Sequence, residues 1–195
     1  MPPPVNIVGE KVALGPMRMD LIPAYVRWYN NLQMLRSLGD IPRPLTPVQK
    51  EQWYENANTD SGSNITFTVF ERNSERSIGL TGLYGVDYRN RTAEFAITIA
   101  EPDARGRGYG TEATRLMLDY AFTALGLHNV MLRVFSFNVA GFRTYTKAGF
   151  REFGRRRECY VMGGMTWDVI YMECLASEWQ PSPVLAEVFK PDEPR

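Results

Sequence analysis

Between Thr92 and Leu125 the chain runs from an alternating stretch through Arg105-Gly106-Arg107-Gly108-Tyr109-Gly110 into a helical one. This glycine-rich junction constrains the fold more than any other feature. Ahead of it, in Thr92 to Ala100, Phe95, Ile97 and Ile99 alternate with Glu94, Ala96 and Thr98, the period of a strand with one buried face. Behind it, Leu116, Met117, Tyr120, Ala121 and Ala124 fall at helical spacing, and Gly126 supplies a left-handed stop. A strand, a turn poor in side chains and a helix bring several backbone N–H groups and the positive helix end to one point. Such a point can hold phosphate; an ordinary tight turn flanked by solvated arginines is the competing reading.

Two common nucleotide signatures fit the junction poorly. A P-loop ends in Gly-Lys-Ser/Thr, whereas Gly110 is followed by Thr111-Glu112. A dinucleotide fingerprint places its third glycine where Thr111 stands, and it belongs in the first β-α unit rather than past the middle of the chain. An ATP- or NAD-dependent enzyme therefore ranks low.

The rest of the pattern is mixed α/β. A first strand is expected at Lys11 to Leu14, a helix over Asp20 to Trp28, and a second helical piece through Leu32 and Leu35, ending at the Gly39-Asp40 break. A loop follows over Ile41 to Leu45. Thr46-Pro47-Val48-Gln49 combines a capping hydroxyl, proline at the first helical position and a reciprocal Gln, so a helix runs from Pro47 to about Asn58. Ile65 to Phe70 and Ile78 to Tyr88 read as a hairpin, and Val130 to Val134 as a short strand. Ala140 to Ala148 reads as a helix stopped by Gly149, and Phe150 to Tyr160 with Thr166 to Cys174 as a second hairpin around Met162-Gly163-Gly164.

Composition narrows the function. With 195 residues, 44% of them apolar, one domain over residues 1–180 is expected, followed by a proline-punctuated tail at 181–195 that is partly disordered or packs on a partner. Lys plus Arg balance Asp plus Glu at 22 each, so no whole-chain field draws the protein to nucleic acid or an anionic membrane. No run approaches the roughly 20 apolar residues of a membrane span, and the start lacks a basic region followed by an apolar one. Cys159 and Cys174 have no CxxC spacing and cannot build a zinc site with the single histidine, so no metal is expected and the reduced cytoplasm is the simplest home. The partner is then a small-molecule or peptide substrate.

Arg105-x-x-Gly108-x-Gly110 matches the Arg/Gln-x-x-Gly-x-Gly/Ala signature at the start of the central helix of the GCN5-related N-acetyltransferase (GNAT) superfamily. A second family segment, Asn followed seven residues later by Tyr and then Gly-Phe, is present as Asn138, Tyr145 and Gly149-Phe150. The chain resembles this family over nearly its whole length, and its flanks, from Gly9-Glu10-Lys11-Val12 and Trp28-Tyr29-Asn30 to Trp167-Asp168 and Trp179, resemble the RimJ/RimL-like branch. The resemblance implies a three-layer α/β (α+β) fold with a mixed, mostly antiparallel sheet of about seven strands and about four helices. It also implies acetyl-CoA as co-substrate, a primary amine as acceptor by direct attack in a ternary complex, and a possible homodimer. The amine is a protein N-terminus or a small molecule such as a polyamine or antibiotic. An acyl-CoA-binding regulatory or inactive paralogue is the alternative.

By the same resemblance, Arg105, Gly106, Arg107, Gly108, Tyr109, Gly110 and Thr111 hold the pyrophosphate, chiefly through the N–H groups of Arg107 to Thr111. Ile97, Thr98 and Ile99 pair with the pantetheine arm as an added strand. Tyr145 protonates the leaving thiolate, and Asn138 bonds the arm or a water, or else caps the helix that follows. Glu94 takes the amine proton directly or through water, or is a solvated strand carboxylate. His128 is read as a helix-end or surface residue. Trp28, Tyr84 and Trp167 could line an acceptor pocket, though such aromatics are more often core than pocket.

Overall fold

A computed structural model describes residues 4–39, 43–59, 62–181 and 183–189. In chain order the elements are β1 (Ile7–Val8), β2 (Val12–Pro16), α1 (Ile22–Tyr29), α2 (Leu32–Leu35), α3 (Pro47–Thr59), β3 (Ile65–Glu71), β4 (Ser77–Asp87) and β5 (Thr92–Ile99). There follow α4 (Tyr109–Asp119), β6 (Asn129–Phe135), α5 (Val139–Ala148), β7 (Arg151–Met162), β8 (Met165–Leu175) and α6 (Pro183–Val188).

The strands form one sheet in the order β1-β2-β3-β4-β5-β6-β8-β7, antiparallel throughout except for β5 beside β6. That parallel pairing spans only Thr92↔Asn129, Ala93↔Val130 and Glu94↔Met131. Beyond Glu94 and Met131 the two strands continue to Ile99 and Phe135 with no register between them, so the sheet opens there.

Sheet and helices are as expected in kind. The described residues give eight strands rather than about seven, because Ile7–Val8 folds back on β2, and six α-helices rather than about four, because α2 and α6 are one-turn or two-turn pieces. β2 begins one residue later than expected and reaches Pro16. The central helix begins earlier, at Tyr109, and leaves α geometry after Asp119 as a π turn over Tyr120–Ala124.

Two cores sandwich the sheet. On one face α4 and α5 cover Val69, Leu83, Phe95, Val130 and Leu132, with Leu116 and Met117 from α4 and Phe150 just after α5 in the same core. On the other, α1 to α3 pack Tyr25, Trp28, Met34 and Leu35 against Leu80 and Ala100. The Tyr25 hydroxyl shares a 2.7 Å hydrogen bond with Thr68 Oγ1 inside this second core, so its polar atom is not stranded by burial. Trp28 donates its indole N–H to Glu101 at 2.7 Å, which makes it core rather than pocket.

The start of α3 folds as its residues dictate. Thr46 N–H donates to Gln49 Oε1 at 2.9 Å and Gln49 N–H to Thr46 Oγ1 at 3.3 Å, the reciprocal capping box. The tail behaves differently from expectation where it is described: α6 lays Leu185 into the main core at 4% exposure and touches β1. Burial of one leucine there is worth about 1.5–3 kcal/mol. Residues 190–195, Asp40 of the expected break, and Ile41 and Pro42 of the expected loop lie outside the described residues. Among the described residues no helix is long and apolar enough to cross a membrane, and no three His, Cys, Asp or Glu side chains gather as a metal site requires. Cys159 and Cys174 are both free.

Candidate active site

A cavity of about 560 Å³ lies against the end of β5 that is unpaired with β6. Its walls are the end of β5, the glycine turn, one side of α5, and Gln33, Met34, Ser37 and Leu38 from α2 and the turn after it.

The glycine turn is built for an anion. Gly106 and Gly108 sit at φ +74° and +86°, a conformation that side-chain-bearing residues adopt at a cost, and Gly108 is the residue before the first turn of α4. From Gly106 through Thr111 the backbone N–H groups donate to no described acceptor; the first α4 bond is Glu112 N–H to Gly108 C=O at 3.1 Å. Free donors and a helix start therefore face the same space. This arrangement fits a pyrophosphate.

Of the expected cofactor residues, Ile97, Thr98, Ile99, Arg105, Gly106, Gly108, Gly110 and Thr111 line the cavity, together with Asn138 and Tyr145. The side chains of Arg107 and Tyr109 do not. Tyr109 hydroxyl donates to Glu71 Oε1 at 2.6 Å, and Arg107 lies 3.8 Å from the same carboxylate. Glu71 is held below the usual carboxylate range by hydrogen bonds from Ser74 and Tyr109, with the Arg76 and Arg107 charges adding to the effect. These two residues thus tie the turn to β3 and offer the cavity only backbone. The Arg105 guanidinium donates to the Ile99 and Ala100 carbonyls at 2.9 and 3.3 Å, clamping the turn onto the end of β5.

Tyr145 stands edge-on to Phe95 and Phe150, with ring centroids 6.3 and 6.2 Å away. Burial pushes its phenol up to about 12, because a phenolate in apolar surroundings loses its hydration. At neutral pH it is a proton donor. Asn138 caps α5, its Oδ1 accepting from Gly141 N–H at 2.9 Å, while its amide lines the cavity. The helix-cap role uses the oxygen and leaves the NH2 to donate.

Glu94 is not brought to this cavity. Phe95 points to the α5 face and packs on Tyr145, so the carboxylate of its neighbour opens on the opposite face of the sheet. There Glu94 receives Arg133 Nε at 2.7 Å and borders a second cavity of about 470 Å³ with Tyr84, Phe153 and Glu173. His128 is exposed on the connection after the π turn and lines neither cavity. Trp167 belongs to an aromatic group with Phe137, at 5.3 Å, while Phe137 also meets Phe135 and Tyr160.

Sequence reading missed two sets of wall residues. Arg143, Thr144 and Lys147 follow from the helical period that already joins Asn138, Gly141 and Tyr145. Gln33 to Leu38 carry no comparable signal, being a single helical turn whose position is set by packing.

Comparisons with known proteins identify an acetyltransferase domain. An acetyltransferase (GNAT) domain model matches residues 11–151. The chain is 36% identical over 111 residues to the spermidine N(1)-acetyltransferase of Vibrio cholerae, covering 57% of this chain and 64% of that protein. It is 29% identical over 160 residues to the human alpha/beta-tubulin-N-acetyltransferase 9, covering 75% of each. It is also similar to a putative ribosomal N-acetyltransferase of Bacillus subtilis, 32% over 102 residues, or 52% of this chain and 55% of that protein. The crystal structure of the Vibrio cholerae spermidine N-acetyltransferase with CoA and spermine superposes with a TM-score of 0.80 at 27% identity, over 87% of this chain and 98% of that one. These relatives are all N-acetyltransferases by name, and their names do not share one acceptor.

Proposed function

We propose, on the premise that this chain belongs to the GNAT acetyltransferase family, that it is an acetyl-CoA-dependent N-acetyltransferase whose acceptor is a primary amine, with a spermidine-type polyamine as the first candidate. The observation that carries the reading is one cavity holding both the unsatisfied N–H groups of Gly106 to Thr111 and the protonated phenol of Tyr145. Spermidine leads because a spermidine acetyltransferase supplies both the 36% identical relative and the 0.80 superposition.

Acetyl-CoA supplies a thioester, and attack by a neutral amine forms the C–N bond, breaks the C–S bond and releases a thiolate. The N–H groups of Arg107 to Thr111 hold the pyrophosphate, and the unpaired edge of Ile97 to Ile99 receives the pantetheine arm as an added strand. Asn138 steadies the arm or a water through its NH2. Tyr145 donates its proton to the thiolate, contributing about 10²–10⁴-fold as a positioned acid. For the amine proton we propose a water route ending at Glu94, which opens to the far face where β5 and β6 part. Glu94 is already engaged by Arg133 and does not line the donor cavity, so its share is small.

A second reading, a protein N-terminal amine, is favoured by the charge of the wall. The cavity's described lining carries Arg105, Arg143 and Lys147 and no carboxylate, which suits a polycation poorly, and the tubulin acetyltransferase is the relative matched over more of this chain. A binding-only paralogue is not favoured, because the relatives matched are N-acetyltransferases. A cytoplasmic homodimer of the RimJ/RimL-like branch completes the proposal; a monomer by light scattering at micromolar concentration would remove the dimer.

The test is thiol release from acetyl-CoA with spermidine and, separately, with an N-terminal peptide, each product checked by mass spectrometry. Acetylspermidine supports the first reading, an acetylated peptide without acetylspermidine supports the second, and retained CoA binding with no transfer to either amine rejects the enzyme.

A further inference from the structure

A carboxylate beside an anion-binding turn calls for a reason. Glu71, the last residue of β3, keeps only 16% of its side chain exposed and accepts at 2.6 Å from the hydroxyl of Tyr109, the first residue of α4. Arg107, inside the turn, lies 3.8 Å from the same oxygen. Like charges repel, so by its charge alone Glu71 opposes a pyrophosphate at Gly106 to Thr111. It also draws the Arg107 guanidinium away from that ligand.

What Glu71 provides is a hold on the turn. Its second oxygen accepts from the Ser74 hydroxyl. Its backbone closes the β3–β4 hairpin, Glu71 N–H donating to Arg76 C=O at 2.9 Å and Glu71 C=O accepting from Glu75 N–H at 2.8 Å. Glu75 sits there at φ +55°, a left-handed position that favours glycine, so the hairpin tip keeps its shape at a local cost. Arg76 of the same tip donates to Asp103 at 2.7 Å, two residues before Arg105. The tip therefore grips the glycine turn from before it, at Asp103, and from within and after it, at Arg107 and Tyr109. Among the described residues, every hydrogen bond or close ion pair made by a side chain of Gly106 to Thr111 to another part of the fold ends on Glu71.

We propose that Glu71 is a positioning residue for the cofactor turn: through Tyr109 and Arg107 it fixes the direction of the free N–H groups before coenzyme A arrives, and this outweighs its repulsion of the pyrophosphate. This rests on the donor reading given above and adds to it the residue that shapes the turn. Unbonded N–H groups converge on one anion only when their backbone is ordered. Glycines give that order up readily, and whatever ordering is left to the moment of binding subtracts from affinity. The Arg107 and Tyr109 side chains are tethers, which is why they turn away from the cavity.

Calorimetric titration of wild type, Glu71→Gln, Tyr109→Phe and the double variant with CoA tests this by the sign of the effect. If the carboxylate acted only through its charge, Glu71→Gln would bind CoA more tightly. Positioning gives the opposite: CoA affinity falls about tenfold in Glu71→Gln. It falls about as far in Tyr109→Phe, which keeps the ring and deletes the tether. The double variant is no weaker than Glu71→Gln, since both changes cut one link. In thiol release the KM for acetyl-CoA rises by the same factor while kcat holds, a split that a general loss of stability does not produce. Tighter or unchanged CoA binding in Glu71→Gln, or additive losses in the double variant, overturns the assignment and leaves the donor reading intact. Failure of wild type to bind CoA overturns both.

Discussion

The floor of the cavity and its far wall are made by opposite means. At Gly106 to Thr111 six consecutive residues offer backbone N–H groups whose direction follows from two left-handed glycines and a helix start. At Gln33, Met34, Ser37 and Leu38 the wall is side chain from a single helical turn, held by α1 and α3 through the Tyr25, Trp28 and Trp53 packing. A backbone site tolerates change in its side chains and fails when the backbone is blocked. A side-chain wall can be rewritten residue by residue, which matches N-acetyltransferase relatives whose names give different acceptors.

That contrast can be broken most severely at the floor. Gly108→Trp places a bulky side chain at a left-handed position over the free N–H groups, and CoA affinity measured by calorimetry is expected to fall about 100-fold or more. Retained micromolar binding would mean that the phosphates do not approach this turn.

Tyr145→Phe keeps the ring contacts with Phe95 and Phe150 and deletes the proton. Turnover should drop about 100-fold, with the dissociation constant for CoA unchanged. Because burial holds the phenol up at about 12, the wild-type rate should show no fall from loss of the Tyr145 proton between about pH 8 and 10. The same shift has a stability consequence. The folded value lies above the unfolded one near 10, so the stabilisation is present in full below about pH 10 and is lost as pH rises through 12. Alkaline unfolding curves of wild type and Tyr145→Phe should diverge only in that window, and parallel curves would mean that the phenol is not held this way.

At the opening between β5 and β6, Glu94→Gln probes the other face of the sheet. A fall of about tenfold or less in kcat/KM for the amine, with CoA affinity untouched, fits a water route to the Arg133-paired carboxylate. The ion pair is largely exposed, so unfolding free energy should change by less than about 1 kcal/mol. Unchanged kinetics would return Glu94 to a solvated strand carboxylate.

The smallest effect is expected at the support of the far wall. Thr46→Ala removes one half of the capping box of α3 and should cost about 1 kcal/mol in denaturant unfolding. Any change in CoA binding from it would show that the two ends of the cavity are mechanically linked.

Much of the donor side was legible because its signals are local. Arg105 to Gly110 carries its own turn chemistry, Asn138 to Phe150 carries one helical period with its stop, and Thr46 to Gln49 carries a cap. Each depends on neighbours within about one turn of chain. The alternation of Glu94 with Phe95, Ile97 and Ile99 was readable in the same way, and so was the separation of their faces.

What could not be read is which face Tyr145 would join. By itself the sequence determined the elements, the phosphate-binding turn and a phenol at family spacing, since these follow from backbone preference over short spans. Only the tertiary structure decided that Tyr145 packs on Phe95, leaving Glu94 with Arg133 on the other side, and that the Arg107 and Tyr109 side chains turn to Glu71. It also decided that Leu185 anchors the tail on the main core. Those outcomes depend on where β5 and β6 stop pairing and on contacts between residues tens of positions apart, where burial and packing, rather than local preference, select the arrangement.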